Sequence, residues 1–196
     1  MILPVVAYGD PVLRKVCQNI DKDYPNLETL IANMRETMYN ASGVGLAAPQ
    51  IGKAIRLFVI DASPFADDED ISEKDRTALK DFNKVFINAQ ILEEEGDEWV
   101  FNEGCLSIPD VREDVFRQPK IKIEYQDENF DKHTEVLDGL AARVFQHEYD
   151  HIEGILFTDK LSSLKKRLIK KKLENISKGK IRADYRMRFP NLKKQK

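Results

Sequence analysis

Only two cysteines, Cys17 and Cys105, occur among 196 residues. That is too few for the disulfide scaffold of a small secreted domain, so both thiols are open to other chemistry. Long apolar runs are missing too: Met1 to Ala7 has no basic leader and is far shorter than a signal-peptide core or a membrane span. A cytoplasmic protein without membrane contact is expected. Histidine is scarce, with three in all, so a pair at a chemically meaningful spacing carries information. The one glycine-rich stretch, residues 43–50, lacks a following Lys-Ser/Thr and the spacing of a nucleotide fingerprint, which excludes a phosphate cradle. What remains, 42% hydrophobic and 33% charged residues, suits one globular domain that buries a core without staples.

The net charge of −3 conceals an asymmetry. Residues 165–196 hold 14 Lys and Arg against two acids, Glu174 and Asp184, whereas residues 1–164 hold 17 against 32. An acidic body carries a basic tail. Such a block is either solvated surface or a binding stripe.

Apolar residues at Leu27, Leu30, Ile31, Met34 and Met38 predict a helix over 26–39 that stops at Ala41-Ser42-Gly43. Strands are expected at 55–60, 85–92, 98–101, 121–125 and 134–137, and an exposed acidic loop with one helical turn at 63–81. A second helix starts with Asp138 as its cap and ends at Gly154. Short strands around one central helix predict an α+β fold with small antiparallel sheets, followed by a C-terminal helix.

Inside that central helix stands His147-Glu148-Tyr149-Asp150-His151, an H-E-x-x-H pattern. Residues four apart share a helical face, so both imidazoles reach one ion and Glu148 stands beside it. With three histidines and sixteen glutamates, chance supplies this pattern on the order of 0.004 times in such a chain. Leu140 and Val144 continue the histidine stripe, which places the polar trio on the buried side. Imidazoles satisfied by core hydrogen bonds are the competing explanation, but a buried carboxylate with two imidazoles is costly without a cation.

Two histidines leave a third ligand to be found. Downstream lie Glu153, Asp159 and Glu174; upstream, Glu103-Gly104-Cys105-Leu106-Ser107 offers a thiol after a strand, and a thiolate with two imidazoles leaves one tetrahedral position open. Taken alone, Cys105 is better read as a buried inert cysteine, as Cys17 is. In 43–50 small residues let a peptide-like ligand approach the backbone, and the Gln50 amide adds a neutral donor; a plain turn is the alternative there.

The sequence resembles the peptide deformylases, which remove the formyl group from the N-terminal methionine of new bacterial and organellar polypeptides. Their signatures G-x-G-L-A-A-x-Q, E-G-C-L-S and Q-H-E-x-D-H stand at 43–50, 103–107 and 146–151, within a likeness that covers residues 3–164. The resemblance implies Cys105, His147 and His151 as ligands of one divalent metal, Fe²⁺, with Zn²⁺, Ni²⁺ and Co²⁺ able to use the same donors. It implies Glu148 as acid/base and Gln50 with the Leu106 N–H as oxyanion donors. Val44, Gly45, Gly104 and Arg112 would line the peptide site, with Leu140 and Val144 near the methionine pocket. Arg143 replaces the apolar residue some members have there, and 63–81 exceeds the short bacterial pattern. The expected plan is a catalytic domain over 1–164 and a basic tail over 165–196 that docks on ribosomal RNA, separable from the chemistry. An H-E-x-x-H endopeptidase, or an RNA-binding protein with a vestigial metal site, are the rivals.

Overall fold

The computed structural model describes residues 1–191; the end of the basic tail, 192–196, lies outside the described residues. The chain opens with strand β1 (Val5–Val6) and helix α1 (Leu27–Asn40), whose Leu30, Ile31, Met34 and Met38 are buried at the predicted spacing. Next come β2 (Gly45–Ala47), β3 (Leu57–Asp61), helix α2 (Glu73–Leu79) and β4 (Asn83–Glu95). A hairpin of β5 (Trp99–Cys105) and β6 (Ile108–Arg117) follows, then β7 (Lys120–Gln126) and β8 (Lys132–Asp138). Helix α3 (Gly139–Ile152) carries His147 and His151, helix α4 (Ser163–Ser177) a run of lysines, and β9 (Met187–Arg188) is the last element among the described residues.

Strands β2-β3-β4-β7-β8 form a five-stranded antiparallel sheet. Helix α3 packs on it through β2, β3, β7 and β8. Phe145 is the main pin: its ring meets Phe58 and Phe86 edge-on, with centroids 5.2 and 5.0 Å away. Each such pair contributes about 0.5–1.5 kcal/mol beyond area burial. A second core, with Leu13, Val111, Val115, Phe157 and Ile169, fills the space behind the hairpin.

The smallest sheet pairs β1 with β9 in parallel, beside the antiparallel ones. Two expectations need correction. Residues 63–81 are more than an exposed loop: a 3-10 turn (Ser63–Asp67) and α2 bring Leu79 into the core, with Ser72 capping α2 at Asp75 N. Asp138 stands at the start of α3 without capping it, since its carboxylate pairs with Lys74. The segment after Leu164 is built into the body. Ile169, Leu173 and Ile176 of α4 are buried, and Ile181, Met187 and Phe189 pack on the same second core.

No helix among the described residues is long and apolar enough to cross a membrane.

Candidate metal centre

His147 and His151 lie one turn apart on α3, their rings 5.1 Å apart and nearly perpendicular. Strand β5 ends at Cys105, which puts its Sγ 3.3 Å from His151 Nε2. One donor atom from each of the three residues lies within 4.8 Å of the other two, the only such grouping among the described residues. With metal bonds of about 2.0–2.3 Å, these three donors would hold one ion.

The hairpin supplies what the motif itself does not. Phe101, Glu103 and Cys105 alternate on one face of β5, and Glu103 Oε2 sits 3.0 Å from His147 Nδ1, leaving the other ring nitrogen for an ion. Arg117 donates to Glu103 through Nε at 2.7 Å and Nη2 at 3.0 Å, and Arg143 donates through Nη1 at 2.9 Å. Burial would raise the Glu103 pKa, yet His147 and Arg117 overcome it and hold the carboxyl well below its ordinary range. Burial likewise works against charge on His147, but Cys105 and Glu103 on either side hold its pKa well above the usual imidazole value. His151 goes the opposite way, pushed well down by burial and by charge on His147. Arg143 covers the Trp99 ring at 4.5 Å and donates to the Trp99 carbonyl at 2.6 Å, and it also lines the cavity over the site.

Glu148 is 4% exposed, and its Oε2 has no hydrogen-bond partner. Burial raises its pKa to about 7. An orphaned carboxylate oxygen beside a thiol and two imidazoles is the donor set of a site completed by a cation. Gln50 is fixed at its other end: Oε1 accepts from Ala47 N at 2.8 Å, which turns the Nε2 group to donate toward Cys105 Sγ at 3.5 Å and Ser107 Oγ at 3.3 Å.

These groups open on a cavity of about 490 Å³. Val44, Gly45, Gly104, Arg112 and Val144 line it, as do Gln50, Cys105, Leu106, His147 and Glu148. His151 is nearly sealed at 1% exposure. Leu140, expected near the methionine pocket, is not among the lining residues; it packs in the core under α3. Sequence reasoning missed Glu103, Phe101, Phe65 and Tyr185, which line the cavity. The first two were visible as strand alternation leading to Cys105, whereas Phe65 and Tyr185 arrive from distant segments with no local signal.

The sequence model of the Polypeptide deformylase family matches residues 2–167. A peptide deformylase of Christiangramia forsetii is 72% identical over 99% of both chains. One of Flavobacterium psychrophilum is 69% identical over 96% of this chain and 97% of the other. Among solved structures, a peptide deformylase from Legionella pneumophila superposes with a TM-score of 0.77 at 36% identity, covering 92% of this chain and 98% of that one. The family match takes in the strand and the helix that carry the cysteine and the two histidines, and the likeness to the relatives runs nearly end to end: the chain belongs to the polypeptide deformylase family.

Proposed function

We propose that the chain hydrolyses the N-formyl group from the N-terminal methionine of nascent polypeptides and releases formate. One observation carries this: a buried carboxylate without a partner, Glu148, stands beside a Cys-His-His donor set at the floor of a cavity wide enough for a peptide end. Cys105, His147 and His151 hold the metal in this reading. Ferrous iron is the proposed occupant, although thiolate and imidazole donors also accept Zn²⁺, Ni²⁺ and Co²⁺. When bound, the ion supplies Lewis acidity that polarises the formyl carbonyl and acidifies water.

The chain's own groups divide the remaining work. Glu148 takes a proton from the attacking water and later delivers it to the departing amine nitrogen, so that the C–N bond breaks to formate and a free N-terminus. The Gln50 amide and the Leu106 N–H face the charge that develops on the formyl oxygen, and the Ala47 contact fixes Gln50 before reaction. Val44, Gly45, Gly104, Arg112 and Val144 receive the peptide. In this reading residues 1–164 carry the reacting groups, and the exposed lysines of α4 dock the enzyme on ribosomal RNA. This reading places the activity in the bacterial cytoplasm.

The test is formate release from a formyl-Met peptide by protein purified anaerobically. Formate and a free amine in equal amounts are expected, with no cleavage inside longer peptides. Internal cleavage without formate would favour the endopeptidase.

A further inference from the structure

The segment that follows the metal-site cysteine is tied down from both ends of the chain. Tyr8 N donates to the Ser107 carbonyl at 2.9 Å, and the Tyr185 hydroxyl donates to the Leu106 carbonyl at 2.7 Å. Two consecutive carbonyls beyond Cys105 are thus held by residues beside β1 and β9. Tyr185 lies past residue 167, where the family match ends, and among the described residues it is the only one past that point that lines the cavity.

The backbone on either side of Tyr185 is held by hydrogen bonds and packing. Val5 N donates to the Arg186 carbonyl and Ala7 N to the Arg188 carbonyl, both at 2.9 Å, while Asn191 N returns to the Ser177 carbonyl at 3.1 Å. Met187 and Phe189 anchor the same stretch in the second core. The phenol therefore reaches Leu106 from a fixed base, and packing alone would not require its oxygen.

We propose that Tyr185 is a positioning residue of the active site. By holding the Leu106 carbonyl it fixes the Cys105–Ser107 segment, so that the thiolate and the Leu106 N–H stay where the chemistry uses them. The C-terminal tail is in this sense part of the active site and more than a charged appendage. The inference rests on the deformylase reading of the site.

Tyr185→Phe tests it, since the ring and its packing remain while the hydroxyl goes. Four quantities are compared with wild type in the metal-loaded protein: kcat and KM for a formyl-Met peptide, the rate of metal loss to a chelator, and Tm. Loss of one hydrogen bond predicts a fall in kcat of roughly three- to ten-fold with KM within about two-fold, and metal release faster by a similar factor. Native kcat and native metal release in Y185F overturn the proposal, as does a change confined to Tm. If wild type itself releases no formate, the deformylase reading fails, while the chelator measurement still decides the positioning role.

Discussion

Gly45 and Glu148 approach so closely that no side chain fits between them: a Cβ on Gly45 would lie 2.7 Å from Glu148 Cδ and 2.8 Å from its Cγ. Glycine is required at this point of β2 because the buried carboxylate packs against bare backbone. Gly45→Ala should therefore push Glu148 aside. Misplacement of a reacting group by about an ångström costs on the order of 10²-fold, so formate release should fall by roughly that factor while metal content stays near native. Near-native turnover in G45A would mean that Glu148 can move without consequence.

Glu148→Gln separates the carboxylate's proton chemistry from its shape. The amide fills the same volume, and Glu148 is no ligand in the proposed site, so fold and metal content should persist. Turnover should drop by about 10²–10⁴-fold, the range for a lost acid/base group. Metal loss that matches the activity loss would instead make Glu148 a ligand.

Much of this was legible beforehand because the chemistry sits on short contiguous motifs. The i, i+4 spacing put His147 and His151 on one face, and the alternating 121–125 run read directly as a strand that pairs with β8. Strand β6 was not legible: its buried Ile108, Val111 and Val115 are three and four apart, a helical spacing, and Asp110 at a φ of 59° breaks the alternation. The roles of Tyr185 and Phe65 were equally hidden. They reach the cavity only because the β1–β9 pairing and the turn at Ser63–Asp67 carry them there, and long-range contacts of that kind leave no period in the sequence.

The two cysteines should behave differently. Cys105→Ser should lose tightly bound metal, read by elemental analysis after dialysis, and activity with it. Cys17 lies in the core at 5% exposure, burial lifts its pKa to about 11, and it does not line the active-site cavity. Cys17→Ser should keep metal and turnover, at a stability cost of about 1–3 kcal/mol if the new hydroxyl finds no partner. Equal loss in both variants would sink the ligand assignment.

Glu103→Gln probes the support behind His147. The carboxylate faces two guanidinium groups, Arg117 and Arg143, that are 3% and 2% exposed. Removing one member of such a buried cluster costs about 3–5 kcal/mol, because the partners keep their charge. Denaturant unfolding of the metal-free protein should show a loss of that order. Metal affinity should fall by roughly 10–100-fold through the loosened His147 ring. A variant with native stability and native affinity would reduce Glu103 to a bystander.

The basic face of α4 makes the last prediction, and the fold changes how to test it. Removing everything after Leu164 would strip Ile169, Leu173 and Ile176 from the second core and Tyr185 from the cavity, so truncation cannot isolate the charge. Surface substitution can. Lys165 is paired with Glu113 at 3.0 Å, but Lys166, Arg167, Lys170, Lys171 and Lys172 are exposed, next to Leu164 and Leu168 at 60% and 71% exposure. If about four to six phosphates are engaged, log affinity for ribosomal RNA should fall against log salt with a slope near −3 to −5. Lys170→Glu combined with Lys171→Glu should abolish that binding, because each change removes one phosphate contact and adds repulsion. These side chains point away from the core, so Tm and formate release from a short formyl-Met peptide should stay at wild-type values. Salt-independent binding, or no binding by the full-length protein, would leave α4 a solvated face whose lysines serve solubility.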